Sequence, residues 1–180
     1  APYPVTNPAL YQNAYWVVHN TEINEKRDRI MGFVSAKYDI QPWLHVTGRA
    51  NLDKTRDNIT SIQKQGTVGI SATGGGAYGT TIIDQTQKWF DIMVDGTNNI
   101  TEKLRIDYRV GAIYQDNKYD QVNNGSGGLN VTNFFSYNFA KTPGISVGSS
   151  QVQTQSVFAQ INFSYLDAIF LDASLRNEWD

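Results

Sequence analysis

Two neighbouring stretches of the chain alternate apolar and polar residues with a strict period of two. In residues 30–40 every second position is apolar or small, and residues 44–53 repeat the pattern after a gap of only three residues. Successive side chains of a β-strand point to opposite faces, so the pattern predicts two strands, each with one polar and one apolar face. A charged face needs water and an aliphatic face needs an apolar medium, which is typical of transmembrane β-barrel strands.

The same alternation recurs along the rest of the chain and predicts further strands. The six predicted strands cover residues 29–41, 43–56, 80–95, 103–116, 150–165 and 169–176. Their connections alternate short and long, and the long ones cover residues 57–79 and 117–149. Outer-membrane barrels alternate short periplasmic turns with longer external loops, although a soluble sandwich can alternate in this way too. We therefore predict an all-β fold, an antiparallel transmembrane β-barrel segment of about six strands with long external loops.

Some stretches are less regular than the predicted strands. Residues 1–12 hold three prolines and are expected to form an extended loop. Residues 14–19 fit a short strand or an apolar loop plug, and the charged residues 21–28 fit a helical turn or a strand end. If residues 14–19 and 131–139 were both strands, the total would be eight, the number in the smallest complete barrels.

Composition limits the classes of protein that the chain can belong to. Its 180 residues suit one domain, and a net charge of -2 gives no indication of nucleic-acid binding. The chain has no cysteine, which excludes disulfides and thiolate metal sites, and it has no apolar run long enough for a membrane helix. These properties are compatible with residues 1–180 being part of a single β-barrel domain.

No pattern of catalytic, metal-binding or cofactor-binding residues is present in the sequence. The two histidines, His19 and His45, are far apart, and no nucleophile elbow accompanies them. Residues 116–120 are rich in carboxylates but do not fit a calcium-binding loop, and the Gly74–Gly76 run does not open a helix as a phosphate loop does. We therefore expect no catalytic residue, no metal and no cofactor, and we expect the chain not to be an enzyme.

Charged and aromatic side chains supply the candidate functional residues. Seven charged residues share the polar strand faces: Arg49, Asp53, Arg105, Asp107, Arg109, Asp172 and Arg176. An arginine on the lipid face near the membrane midplane costs about 2–4 kcal/mol, so we expect this set to face the lumen, where it pairs internally or contacts substrate. Five aromatic residues lie in the predicted loops: Tyr78, Tyr119, Phe134, Phe135 and Tyr137. They can contact a substrate or a partner, or pack within the loops.

Two hairpins of this chain resemble those of a known transporter family. The first consists of RDRIMGFVSAKY at residues 27–38 and PWLHVTGR at residues 42–49, and the second of FAQINFSY at residues 158–165 and LDASLRNEW at residues 171–179. Both resemble barrel hairpins of the SusC-like (RagA-like) TonB-dependent outer-membrane transporters of Bacteroidetes. Order and spacing match across most of residues 14–180.

The resemblance implies an architecture, a location and a set of partners. It implies a barrel of about 22 strands in the Gram-negative outer membrane, in contact with its lipid and closed by a plug domain. It also implies energy supply by TonB, a SusD-like surface lipoprotein as a lid, and import of glycans or peptides. Counterparts of the plug, the TonB-contacting part and the remaining strands are absent from this sequence, which we interpret as an internal barrel segment. The alternatives are a small stand-alone outer-membrane barrel or adhesin-like surface protein, and an outer-membrane hydrolase.

Overall fold

The computed structural model describes residues 12–68 and 74–180. Its elements, in chain order, are α1 (Ala14–Asn20), β1 (Thr21–Gln41), β2 (Leu44–Gln63), β3 (Ala77–Thr101), β4 (Leu104–Gly125), a short 3-10 helix (Tyr137–Phe139), β5 (Gly144–Tyr165) and β6 (Ile169–Trp179). The strands form one six-stranded sheet in which each strand lies beside its neighbour in sequence. The prediction of an all-β, antiparallel, six-stranded segment is confirmed.

The β5–β6 hairpin shows how tightly the chain turns between strands. The two strands pair antiparallel from Gln155 opposite Trp179 to Tyr165 opposite Ile169. Leu166 and Asp167 both adopt positive φ angles, 55° and 52°, and the Ala168 amide donates to the Tyr165 carbonyl at 3.1 Å. Two consecutive left-handed residues are the geometry of a type I′ turn, whose twist matches that of the flanking strands. The short turn predicted at residues 166–167 is therefore present.

One expectation about the less regular stretches is wrong, and the alternative of eight strands is not found. Residues 14–20 form a helix, α1, because the Asn13 side chain accepts from the Tyr15 amide and caps the first turn. Residues 131–139 contain no strand, so the described residues hold six strands and not eight. Residues 21–28 are a strand end, as one of the two interpretations had it. The loop predicted for residues 1–11 and part of the loop predicted for 57–79, residues 69–73, lie outside the described residues.

The strands extend further into the predicted loops than expected. β2 continues to Gln63, β4 continues to Gly125, and β5 begins at Gly144. Two aromatic residues assigned to loops, Tyr78 and Tyr119, therefore lie in β3 and β4. In the extensions of β2 and β4 polar residues occupy both faces, so the apolar alternation that identifies a half-buried strand is missing there.

The chain divides into two compact units, which are described separately. Of the described residues, unit 1 comprises 12–28, 55–68, 74–84 and 120–149, and unit 2 comprises 29–54, 85–119 and 150–180. Among the described apolar residues only Leu129, in unit 1, is a buried core residue, at 1 % exposure. A water-soluble domain of this size would bury many large apolar side chains. The sheet of unit 2 has none among its described residues.

Candidate functional site

The sheet of unit 2 has two chemically different faces. The apolar face carries the even-numbered residues of β1–β4 and the odd-numbered residues of β5 and β6, and the polar face carries the others. Large side chains of the apolar face are exposed: Val34 is 65 % exposed, Phe90 is 53 % and Leu175 is 75 %. The predicted apolar rows thus lie together on one face of the sheet. No described residue of this chain covers that face.

A polar contact marks the end of the apolar face on β4. The apolar row of this strand runs from Leu104 to Tyr114, and the next residue on the same side is Asp116. The Asp116 carboxylate accepts from Gln151 Nε2 at 2.7 Å and lies 3.8 Å from Lys88 Nζ. The side chain of Asp116 is only 9 % exposed. Along this side of β4, the surface therefore changes from apolar at Tyr114 to charged at Asp116.

Arg49 forms the most enclosed ion pair of the polar face. Its Nε lies 3.0 Å from Asp91 Oδ2 and its Nη2 lies 2.9 Å from the same oxygen, while the Asp91 side chain is 1 % exposed. The Arg49 guanidinium also lies over the Trp89 ring, 5.1 Å from its centroid. A planar guanidinium suits both contacts, because it binds a carboxylate along its edge and stacks on a ring through its face. The arrangement links β2 to β3.

Other charged residues of the polar face also have partners. Arg29 pairs with Asp53 at 2.5 Å, and the Asp39 carboxylate accepts from His45 Nδ1 at 2.5 Å. Arg105 Nη2 donates to Asp107 at 3.0 Å. Asp107 also accepts from Thr97 Oγ1 at 2.6 Å. In the last hairpin, Asp172 accepts from Asn162 and Arg176 pairs with Glu178.

A cleft of about 310 Å³ opens on the polar face of unit 2. Its wall includes His45, Asp95, Thr97, Arg109, Gln160 and Asn162. In the described part of the chain, Asp95 and Arg109 form no ion pair or side-chain hydrogen bond. Of the seven charged candidates, Asp107 and Arg109 line this cleft, whereas the other five lie elsewhere on the polar face.

Unit 1 contains a strong ion pair of its own. Arg27 Nε donates to Asp57 Oδ1 at 2.6 Å, and Arg27 Nη2 donates to Asp57 Oδ2 at 2.7 Å. This fork lowers the pKa of Asp57 below its ordinary value, chiefly through the hydrogen bonds from Arg27. The Asp57 side chain is 7 % exposed, so the pair is covered on the carboxylate side.

Four of the five aromatic candidates lie in unit 1, whereas Tyr119 lies in unit 2. The Tyr78 and Tyr137 rings are 4.9 Å apart, and the Tyr137 hydroxyl donates to the Asn124 carbonyl at 3.0 Å. Phe134 meets the edge of Phe139 at 4.8 Å and is 54 % exposed. Phe135 lies close to Gly76. Packing within unit 1 therefore accounts for these contacts, and any role in substrate or partner binding stays a prediction.

The described residues show no group of three metal-ligating side chains and no helix long and apolar enough to cross a membrane. Residues 116–120, considered for calcium, belong to β4, where Asp120 accepts from Ser149 Oγ at 2.6 Å.

Sequence reasoning missed three residues that shape the polar face. Trp89, Asp91 and Asp95 lie on β3, and none was a candidate, although the alternation places all three on the polar side. Extending the candidate set to every charged or aromatic residue of the polar rows would have found them. Their partners could not have been found, since these depend on the register between strands.

Comparison with known proteins shows where this fold recurs. Neither the family models nor the curated proteins contain a match. The chain is similar to the RagAB peptide transporter with a TM-score of 0.76 and 15 % identity, over 98 % of this chain and 20 % of the transporter chain. It is similar to the RagAB peptide importer in its "closed-closed" and "open-open" states with TM-scores of 0.77 and 0.76. The chain therefore has the fold of part of these transporter chains and spans about a fifth of their length.

Proposed function

We propose that this chain forms part of the barrel wall of a SusC-like TonB-dependent nutrient transporter in the Gram-negative outer membrane. The observation that carries the proposal is the uncovered apolar face of unit 2, opposite a polar face rich in paired charges. Such a sheet separates an apolar medium from water with a single layer of backbone. The structural likeness to transporter chains supports the same interpretation.

The height of the apolar face supports placement in a membrane. On β2 the apolar row extends from Leu44 to Leu52, after which Lys54 follows on the same side. Eight steps of about 3.3 Å give about 26 Å along the strand, and a tilt of about 40° reduces this to about 20 Å. The apolar band of outer-membrane barrels is about 25 Å tall, so the row has nearly the height that lipid requires.

The edges of the sheet support a larger barrel. Among the described residues, β1 and β6 each pair with one neighbouring strand only. An unpaired backbone group in lipid costs several kcal/mol, so strands that continue the sheet are needed on both sides. Six strands are also fewer than the eight of the smallest barrels. We therefore propose that the chain belongs to a single barrel domain of about 22 strands that also holds a plug.

The proposed function is transport and involves no catalytic step by this chain. The chain supplies barrel wall and the segments between long strands, and TonB acts on the plug to open the passage. The substrate is a glycan or a peptide, and a SusD-like lipoprotein serves as the lid. The similarity to a peptide transporter supports a peptide, rather than a glycan, as the substrate. The aromatic cluster around Tyr78 and Tyr137 is our candidate surface for contact with the substrate or the lid.

A pair of neighbouring substitutions tests the membrane wall. Val46 lies on the apolar face and Thr47 on the polar face of β2. In the complete protein that contains this chain, we expect Val46→Arg to cost about 2–4 kcal/mol and to abolish the heat-modifiable, folded form in outer-membrane fractions. Thr47→Arg is the matched control and is expected to retain it. Equal effects of the two substitutions would contradict the assignment of faces and, with it, the proposed function.

A further inference from the structure

The apolar face of unit 2 carries charge at one end only. Among the described strand residues of this face in unit 2, the charged ones are Lys54, Lys88, Asp116 and Lys118. All of them lie beyond the end of the apolar rows from which β2 leads toward β3 and β4 leads toward β5. The strand residues of this face carry no charge at the other end, where the short turns lie. Three cations against one carboxylate make the charged end positive.

The register of β2 against β3 places Lys54 beside a threonine. Two contacts fix this register: the Thr97 amide donates to the Trp43 carbonyl at 3.0 Å, and Arg49 pairs with Asp91. Each step forward along β2 therefore matches one step back along β3, which puts Lys54 opposite Thr86. Opposite residues of an antiparallel pair share a face, with Cβ atoms about 5 Å apart.

The register of β3 against β4 brings the third lysine to the same threonine. The contacts of Thr97 with Asp107 and of Lys88 with Asp116 fit one register, which puts Lys118 opposite Thr86. Lys88 follows Thr86 by two residues on the same face. Strand spacing then places the Cα atoms of Lys54, Lys88 and Lys118 about 8–10 Å from one another. We call these three residues the lysine cluster, and its flexible side chains can converge on one anion above Thr86.

The lysine cluster is open to the medium outside the sheet. Lys54 and Lys118 are exposed, and the Lys88 side chain is 59 % exposed. The strands that carry the cluster, β2, β3 and β4, each have both neighbouring strands within this chain, so further strands of a larger barrel do not cover it. The cluster also lies on the face away from the lumen, where a plug cannot reach it. The remaining occupant of this space is lipid.

The position of the cluster selects an anionic lipid headgroup. Phe90 and Tyr114, which the register places opposite each other, are the last apolar residues of their rows before Lys88 and Asp116. Aromatic residues followed by lysines are typical of a membrane–water interface, where lysines bind phosphate-bearing headgroups. Long connections of outer-membrane barrels are external, so the charged end lies in the outer leaflet.

A second set of side chains on the apolar face indicates that the headgroup is a sugar. Gln151, Gln153 and Gln155 lie on this face of β5, are exposed, and precede its apolar row. Their amides can donate to and accept from sugar hydroxyls, whereas a simple glycerophospholipid has few such groups. Further along, an apolar cleft of about 360 Å³ lies at Ala159 and Ala173 and offers room for an acyl chain.

We propose that the lysine cluster binds the phosphate of an acylated, phosphorylated sugar lipid in the outer leaflet. The glutamines of β5 bind hydroxyls of its sugar, and its acyl chains lie along the apolar rows. This inference rests on the proposed function, because it requires the apolar face to lie in the membrane. It goes further by assigning one lipid class to one place on the wall.

Native mass spectrometry of the complete protein released from detergent tests this proposal. The probes are diphosphoryl lipid A, the same lipid with its phosphates removed, and phosphatidylglycerol. We expect lipid A to bind, the dephosphorylated lipid to bind at least about tenfold more weakly, and phosphatidylglycerol to bind more weakly than lipid A. Lys54→Gln, Lys88→Gln and Lys118→Gln are each expected to weaken lipid A binding about fivefold, and the triple variant at least about thirtyfold.

Two control variants separate the cluster from general effects of charge. Lys37 lies on the polar face, where its Nζ is 3.6 Å from Asp39, and Lys37→Gln is expected to leave lipid A binding within about twofold. Replacing the three cluster lysines by arginine keeps the charge and is expected to retain binding within about threefold. The glutamine variants should fold, because Asp116 keeps its hydrogen bond from Gln151 when Lys88 is replaced, and the heat-modifiability assay checks this.

Three outcomes would overturn the proposal. They are equal binding of lipid A with and without phosphates, unchanged lipid A binding by the triple glutamine variant, and binding of phosphatidylglycerol as tight as that of lipid A. Each can occur while Val46→Arg still prevents folding in the membrane and Thr47→Arg does not. Failure of the lipid site is therefore distinguishable from failure of the proposed transporter wall.

Discussion

Units 1 and 2 are stabilised by different kinds of contact. Unit 1 encloses a small core: Leu129 is 1 % exposed, and its amide donates to the Gly74 carbonyl at 3.0 Å. The Cβ position of Gly75 would come within 2.3 Å of the Leu129 carbonyl oxygen, which shows how closely the two segments approach. Unit 2 encloses no large apolar side chain among its described residues. Its buried side chains include Asp91 and Asp116, and its aliphatic residues point outward.

This difference indicates what each unit needs from its surroundings. A unit with glycine turns packed around a leucine has its own apolar interior, however small. A sheet with exposed aliphatic rows has no apolar interior and requires an apolar medium outside. Ion pairs link the strands on the polar face of unit 2. We therefore expect the stability of unit 2 to be more sensitive to the loss of a charged partner than to a change in side-chain volume. Three substitution experiments address this comparison.

Loss of Arg49 is expected to have the largest effect. Arg49→Met leaves the Asp91 carboxylate, 1 % exposed, without its cation. Breaking a buried ion pair from one side costs about 3 kcal/mol, because the remaining charge stays desolvated. We expect a corresponding fall in the unfolding free energy of the complete protein in detergent, measured by thermal or denaturant unfolding.

Arg105→Met is the control for this substitution. Its partner Asp107 is 35 % exposed and keeps the hydrogen bond from Thr97. We expect a loss of at most about 1 kcal/mol. If the two arginine variants were equally stable, enclosure of the carboxylate would not govern the stability of unit 2.

Glycine substitutions in unit 1 give an intermediate effect. Gly127 has a φ angle of +55°, and an added Cβ would lie 2.0 Å from Thr142 Oγ1. Gly127→Ala therefore combines backbone strain with a clash, and we expect a loss of about 1–3 kcal/mol and faster proteolysis of residues 126–143. Gly125→Ala is the control, since nothing lies within 4 Å of its added Cβ. Similar proteolysis of the two variants would argue against tight packing in unit 1.

The smallest expected effect concerns pH. Arg27 lowers the pKa of Asp57 in the folded state, so the pair contributes stability above the unfolded aspartate pKa of about 3.9. That contribution is lost as pH falls through the lower folded pKa. Asp57→Asn should reduce the unfolding midpoint at neutral pH, and the difference from the unsubstituted protein should shrink in acid. A difference that stayed constant down to strongly acidic pH would contradict the role of the ionised carboxylate.

The strand faces could be predicted from sequence because apolar and charged residues alternate wherever the sheet separates two media. The row from Leu44 to Leu52 is one example, and the β5 row that includes Val157 and Phe163 is another. Strand ends were less predictable. Past Tyr114, for instance, β4 has polar residues on both faces for eleven positions up to Gly125, apart from Tyr119 and Val122. Such a stretch carries no periodic signal, although its backbone pairs as a strand.

The helix α1 and the charge partners were beyond sequence reasoning for different reasons. The run from Ala14 to Asn20 is short and apolar, and helix and strand signals are ambiguous at that length. The pairing of Arg49 with Asp91 depends on which residue of β3 lies opposite β2, and a shift of two residues would preserve both faces while changing every partner. Alternation indicates the face of a residue but not its neighbour across the sheet.

The alternation also restricts how this protein can change in length. One residue inserted within β2 would turn every later side chain of that strand to the other side, with Arg49 and Asp53 toward the aliphatic side. Two inserted residues would restore the orientation but displace the cross-strand pairs. The segment between Gly125 and Gly144 is under no such restriction, because no strand there imposes an even count, so length changes are limited in that segment only by packing around Gly127 and Leu129.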